Sequence, residues 1–290
     1  MLHSPSQIIN PFARRTFGYG TGSSGAGGPA ANSAEAQQFF DRLFTPPTPG
    51  GAEEARWNTF IDGLVADGVW AKLDALTLWF AGANEGDCHV NLIQSAYNTE
   101  RYQTSGGATF TLGQGYSGGN ITRVIASNFN PSTESGTAHF QRNDASFGIW
   151  VYSTATVGQS AINDGVRSGA GMSQLYHTEL YPKYNSTIGY HNCNGSEESF
   201  PAPDASADSS GFYIVQRTGA NAGAVYRNDM VTPVDSTTSA STALFDSEIY
   251  YRCEHSCRMA FIGGSLTEAQ RIAFKARLTT LVTAISGVFP

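Results

Sequence analysis

The hydrophobic period of the chain changes twice. Apolar residues recur at helical spacing between residues 33 and 68, alternate with polar or small ones from residue 72 onward, and return to helical spacing near the C-terminus. "SAEAQQFFDRLF" (33–44) begins at Ser33, a good helix cap, and stops before "TPPTPGG", whose prolines cannot continue a helix. "AEEARWNTFIDGLVADG" (52–68) sets Trp57, Phe60, Ile61, Leu64 and Val65 on one face, with Glu53 and Glu54 at the positive end of the dipole and Gly68 at the stop. At the far end, "GGSLTEAQRIAFKARLTTLVTAISG" places Ser265 and Glu268 at capping-box spacing. Phe274, Leu278, Leu281, Val282 and Ile285 then form one stripe over about five turns.

Between these helices the period is two. "KLDALTLWFAG" (72–82) opens the run, and "ASFGIWVYST" (145–154) alternates Phe147, Ile149 and Val151 against Gly148, Trp150 and Tyr152. "GFYIVQRTG" (211–219), "AGAVYRNDMV" (222–231), "SEIYYRC" (247–253) and "CRMAFIGG" (257–264) follow, separated by Gly, Asn, Ser and Pro clusters. "YRNDM" predicts two strands meeting at an Asn228–Asp229 turn, because both residues tolerate positive φ. Many strands without interleaved helices predict a mainly β fold, an antiparallel jelly-roll sandwich with a short helical lead-in and a C-terminal helix. The expected organisation is an arm over 1–32, the lead-in over 33–70, and the jelly-roll domain with its helix over 71–290.

The arm rests on "GYGTGSSGAGGPAANS" (18–33), a Gly/Ser tether that cannot build a core. Ahead of it, Ile8, Ile9, Phe12, Phe17 and Tyr19 surround Arg14 and Arg15, a pattern suited to a peptide that orders on docking. Composition narrows the partners. A formal net charge of -7, with 17 scattered basic residues, disfavours nucleic acid and anionic lipid. No apolar run reaches the roughly 20 residues of a membrane span. The N-terminal residues lack the charged leader and apolar core of a secretory signal, so synthesis in a cytosol with reduced thiols is expected.

Two stretches invite a chemical reading. In "CEHSC" (253–257), Cys253, His255 and Cys257, joined by His191 and Cys193, are the right residue types for zinc. The expected arrangement is instead a hairpin tip between strands 249–252 and 258–262 with reduced thiols, a disulfide being the other geometric option. "NEGDCHV" (84–90) supplies Glu85 and Asp87, but His89 and Val90 stand where a glycosidase on such a sandwich needs its last Glu. No nucleophile elbow or phosphate loop is present, so neither catalysis nor a cofactor or metal is expected. The best glycan-binding surface lies in "GMSQLYHTELYPKYNSTIGYHN" (171–192): Tyr176, Tyr181, Tyr184 and Tyr190 offer ring faces, with His177, Asn185 and Asn192 to hold hydroxyls.

Several segments together resemble one group of proteins. "DGVWAKLDALTLWFAG" (67–82), "VNLIQSAYNTE" (90–100), "TFTLGQGYSGG" (109–119), "NFNPST" (128–133) and "QRNDASFGIWVYS" (141–153) resemble, in order, concanavalin A-like (laminin-G-like) jelly-roll virion proteins of tailed phages and phage-derived particles. The likeness continues through "GFYIVQRTGANAGAVYRNDM" (211–230), "STALFDSEIYYR" (241–252) and "MAFIGGSLTEAQRIAFKARLTTLVTAI" (259–285), and includes the helical lead-in. It implies a virion component made in the host cytoplasm, such as a head spike, decoration or tail-fibre protein. Its expected partners are other virion proteins (capsid, spike fibre or tail), further copies of itself in a homo-oligomer, and host surface polysaccharide. A purely architectural role is the alternative, since enzymes, lectins and inert modules share such a sandwich.

Overall fold

The computed structural model describes residues 31–102, 109–117, 124–153, 165–168, 178–182, 188–196, 198–201, 210–252 and 256–286. Its helices are α1 (Ala34–Phe40), α2 (Ala52–Ala66), the single turns α3 (Glu85–Cys88) and α4 (Pro131–Glu134), and α5 (Glu268–Ser286). The strands form two antiparallel sheets. The first runs β13 (Asp235–Thr237), β12 (Ala222–Arg227), β11 (Gly211–Gly219), β6 (Ala145–Ser153), β15 (Ser256–Gly263), β4 (Gly115–Ser117), β3 (Thr109–Thr111), with β1 (Leu73–Leu78) also paired to β15. The second runs β10 (Glu198–Pro201), β9 (Ile188–Cys193), β8 (Thr178–Tyr181), β7 (Gly165–Ser168), β14 (Ile249–Arg252), β5 (Val124–Ala126), β2 (Glu100–Tyr102). The fold is mainly β and antiparallel with a C-terminal helix, as the period-two runs predict.

Alternation along the first sheet sorts its side chains into two cores. Phe147, Ile149, Val151, Tyr213, Val215, Ala260 and Ile262 face the second sheet, meeting Ile125, Leu180, Phe200, Ile249 and Tyr251. Trp150, Phe212, Ile214, Met259 and Phe261 point the other way, onto Phe39, Trp57, Ile61 and Leu64 of α1 and α2 and onto Phe274 and Leu278 of α5. The layers are therefore helices, first sheet, second sheet. Such double burial explains why all six residues of β1 are buried, Asp74 and Thr77 included. Asp74 is tolerated because its carboxylate accepts the His139 and Phe140 amides at 2.7 and 2.8 Å. The edge of β1 away from β15 is covered by Asn91, which accepts the Leu76 amide at 3.0 Å and donates to Asp74 and Ala96 carbonyls.

The helix ends depart from expectation in instructive ways. α1 stops at Phe40, short of residue 44. Ser33 does cap it, accepting the Ala36 amide at 3.3 Å. On α2, Val65 is exposed while the other four stripe residues are buried. Gly68 (φ 67) closes α2 in a Schellman motif, its amide reaching Val65 O and that of Val69 reaching Leu64 O. The capping box of α5 lies two residues beyond the expected Ser265–Glu268 pair. Thr267 Oγ1 accepts the Gln270 amide at 3.3 Å and Gln270 Oε1 accepts the Thr267 amide at 2.9 Å, a Thr-x-x-Gln box. Ser265 is occupied elsewhere, donating its amide to Asp144.

Two turn expectations are corrected. Asn228 does take positive φ (57°), but the chain beyond it does not fold straight back as a strand: β12 pairs with β13 through Val225 and Asp235, across a longer loop. The two-residue hairpin turn is at Ala220–Asn221, between β11 and β12. "CEHSC" is no hairpin tip either. β14 pairs with β5 and β7 in the second sheet, whereas β15 pairs with β1, β4 and β6 in the first, so the link between them crosses from sheet to sheet. Ile249 and Tyr251 face the inter-sheet core from one side, Cys257 and Ala260 from the other. Cys253 and His255 lie outside the described residues.

Phe274 joins Phe212 and Phe261 edge-to-face, at ring centroid distances of 5.6 and 5.1 Å. Phe274→Ala should cost about 3–5 kcal/mol of unfolding free energy, measured by chemical denaturation, because it removes the ring that joins α5 to the sheet.

Candidate functional site

The first core strand delivers the chain directly into "NEGDCHV". Asn84 caps α3, its Oδ1 accepting the Asp87 amide at 3.0 Å. This turn buries Asp87, whose Oδ1 accepts the Phe44 and Thr45 amides at 2.6 and 3.3 Å and whose Oδ2 accepts Asn84 Nδ2 at 2.6 Å. Asn84 Nδ2 also reaches Thr45 Oγ1 at 3.0 Å, and Arg42 donates to the Asn91 and Leu92 carbonyls at 3.0 and 2.8 Å. The segment after α1 is thus tied to α3 and its flank by charged hydrogen bonds, which are stronger than neutral ones. On that fixed segment Phe44 is 79% exposed. Its ring lies over Gly86, where a Cβ would stand 3.3 Å from the ring, so a larger residue would displace it.

Phe44, α3 and the run Asn98–Arg101 line an open cleft of about 520 Å³. One chain of hydrogen bonds forms its wall. Tyr116, fully buried, donates its hydroxyl to Glu85 Oε1 at 2.7 Å. Its only proton is then used, so toward His89 Nε2, at 2.6 Å, the phenol oxygen accepts. The Nε2 proton leaves Nδ1 of the neutral ring to accept from Thr99 Oγ1 at 2.8 Å, and Trp79 Nε1 donates to that oxygen at 3.3 Å. All donors point the same way, from the buried indole toward the half-exposed carboxylate. Burial holds His89 below its ordinary protonation range, consistent with the neutral tautomer, and pushes the Tyr116 phenol up. Arg101 completes the arrangement, its Nη1 3.2 Å from Glu85 Oε1. Both donors reach Oε1; among the described residues nothing donates to Oε2.

The cleft offers a ring face, an oriented carboxylate oxygen, the exposed Glu100, and the exposed Asn98, whose Oδ1 is occupied by the Asn91 amide while Nδ2 is open among the described residues. It is built for hydrogen bonding to a polar ligand that has one apolar face. Sequence reading matched Glu85 and Asp87 to the first half of a hydrolytic motif, with His89 and Val90 standing where its last Glu would be. It missed Phe44, assigned there to α1, and Asn98–Arg101. The "TPP" after Phe44 and the Asn84 cap mark both turns, but nothing in the sequence joins them.

The expected glycan surface stands differently. Tyr176, His177, Tyr184 and Asn185 lie outside the described residues, as do the arm residues Ile8, Ile9, Phe12, Arg14, Arg15, Phe17 and Tyr19. Tyr181 is buried and pairs across the strands with the half-buried Tyr190. Asn192 is buried, its amide group closing a loop by exchanging two 2.8 Å hydrogen bonds with Gly195. His191, also buried, bonds Asp235 of the first sheet at 2.8 Å. Cys88 and Cys193 are buried free thiols, each pushed up to about 12 by burial, and so poor nucleophiles. Among the described residues no three His, Cys, Asp or Glu side chains gather as a metal site would require, and no helix is long and apolar enough to cross a membrane.

Two outcomes follow from these contacts. Asp87→Ala should destabilise the protein by about 2–3 kcal/mol, since a buried charged acceptor is lost from several donors. Hydrogen exchange at the Phe44 and Thr45 amides should accelerate in that variant. The second outcome concerns acid. Burial lowers the proton affinity of His89 and His191 relative to their ordinary value of 6.5, so an unfolded chain binds the proton more readily. Stability is therefore present above that value and declines as pH falls through it. The melting temperature should drop between about pH 7.5 and 5.5, and His191→Gln should flatten that slope. Asp74, whose carboxyl is pushed up by burial, acts with the opposite sign.

The chain matches no protein-family model and no curated protein. Among solved structures it is similar to the receptor binding domain of botulinum neurotoxin D, at 10% identity and a TM-score of 0.45 over 72% of this chain and 54% of that one. It is also similar to the binding domain of botulinum neurotoxin serotype D, at 10% identity and a TM-score of 0.46 over 74% and 53%. The chain spans about half the length of these structures, and no site residue is carried over from them.

Proposed function

We propose that this chain is a non-enzymatic attachment protein of a phage or phage-like particle, and that the cleft beside Phe44 binds glycan on the host surface. The fold would be a concanavalin A-like jelly-roll sandwich, a reading supported by two antiparallel sheets sharing one core and by the ordered resemblance over residues 33–288. Residues 1–32 would serve as the docking arm to other virion proteins, with copies arranged as a homo-oligomer in the virion, where repeated weak contacts add.

The observation that carries the glycan reading is the exposed Phe44 ring. Fully burying a Phe would gain about 1.5–3 kcal/mol, yet here a buried carboxylate holds its backbone so that the ring faces solvent beside hydrogen-bonding groups. An exposed aromatic face next to a carboxylate and an amide is the chemistry that receives a sugar ring. The use of Asp87 supports a role without hydrolysis. A glycosidase sets two carboxylates about the scissile bond, and Asp87, neighbour of Glu85, is turned away from the cleft onto the Phe44 and Thr45 amides.

Purified protein should bind intact host cells saturably. Cells stripped of surface polysaccharide should bind it poorly, and the Phe44→Ala variant should bind intact cells at least several-fold more weakly. Equal binding to stripped cells, or none to either, would reject glycan attachment and leave the architectural role.

A further inference from the structure

We infer that the cleft selects an uncharged pyranose, stacking the sugar's C–H face on Phe44 and sharing its hydroxyls between Glu85 Oε2 and Asn98 Nδ2. The inference rests on the glycan-attachment reading and adds the class of sugar.

Charge is the first reason. Glu85 and Arg101 stand 3.2 Å apart and offset one another, and Glu100, exposed on the same wall, leaves the cleft with a net negative charge. His89 adds little, because burial lowers its proton affinity and the chain of hydrogen bonds accommodates the neutral ring. The chain as a whole carries a formal -7. An acidic sugar, a uronate or a sialic acid, would bring its carboxylate toward Glu85 and Glu100 while the arginine lining the cleft is already paired. Like charges at such a site repel and select against that ligand.

Hydrogen-bond direction is the second. Tyr116 and Arg101 both hold Glu85 Oε1, which leaves Oε2 as a fixed acceptor. A carboxylate oxygen accepts only, so it requires a donor from the ligand, and sugar hydroxyls supply one. Asn98 Nδ2 is the complementary group: with Oδ1 engaged by the Asn91 amide, the side chain presents its donors outward to a hydroxyl or ring oxygen. The third reason is the ring. Phe44 bears no polar atom, so its exposed face suits the apolar face of a pyranose. A cleft of about 520 Å³ falls within the roughly 300–1,000 Å³ of ordinary small-ligand sites, with room for a short oligosaccharide.

The test is an oligosaccharide array carrying neutral hexoses, N-acetylated hexosamines, uronates, sialylated and phosphorylated glycans, probed with the full-length protein and with Phe44→Ala. The strongest hits would then be titrated at low and high salt. The expected result is binding of neutral members, weakened about tenfold or more by Phe44→Ala and weakened also by Asn98→Ala. Affinity should be nearly unchanged between about 0.05 and 0.5 M salt, because no net charge pairing is involved. Preferential binding of acidic glycans that is Phe44-dependent and falls with added salt would overturn the neutral-sugar inference and leave glycan attachment standing. Failure of every glycan to distinguish wild type from Phe44→Ala would overturn both.

Discussion

The structure depends on the first sheet being buried on both faces. Alternation along β6, β11 and β15 gives each strand two apolar sets, one for the second sheet and one for the helices. A slip of one residue in any of these strands would exchange the sets, driving Trp150 and Phe261 into a core shaped for Ile149 and Ala260. Register is thus specified from both sides at once, more tightly than in a sheet with one wet face. The same constraint explains the polar residues in β1. Asp74 has no solvent to face, and two backbone amides from the 139–140 segment satisfy it instead.

The candidate site grows out of that rigidity. Trp79, at the end of β1, lies in the inter-sheet core and packs edge-on against Tyr116 and Tyr251. Its indole nitrogen starts the hydrogen-bond chain through Thr99, His89 and Tyr116 that ends at Glu85. A carboxylate at the surface is thereby oriented by a core tryptophan. Asp87 does the parallel task for Phe44, through backbone amides rather than side chains. A carboxylate oriented by hydrogen bonds in this way loses little freedom when a ligand arrives, which is where an open cleft gains affinity.

The elements were more legible in the sequence than their partnerships. Stripes such as Trp57–Phe60–Ile61–Leu64 and Phe274–Leu278–Leu281 identify their helices because spacing alone reports a buried face. Alternation likewise marks β6 and β11. Spacing is silent on which strand a segment joins. Ile249–Arg252 and Arg258–Ile262 read as a hairpin because they are close in sequence, yet each is claimed by a different sheet. The cleft is harder still. Phe44, Glu85 and Arg101 come from three separate segments, and Asp87, which brings the first two together, looks in isolation like a catalytic acid. Tyr and Asn enrichment in residues 176–192 pointed to a surface, but Asn192 is used to close its own loop on Gly195. Composition cannot distinguish an amide that meets a ligand from one that meets the backbone.

The pairing of α2 with α5 has a consequence for how the chain is made. Asp67 binds Arg277 at 2.9 Å across 210 residues of sequence, and Gln270 reaches the Gly68 carbonyl across 202. β1 likewise waits for β15. A ribosome therefore releases the apolar faces of α1, α2 and β1 long before their partners exist. At about 5–20 residues per second, the nascent chain holds that surface unpaired for roughly ten seconds or more. Synthesis rate and chaperone occupancy, rather than the stability of the finished fold, would then set how much of the protein reaches its native state.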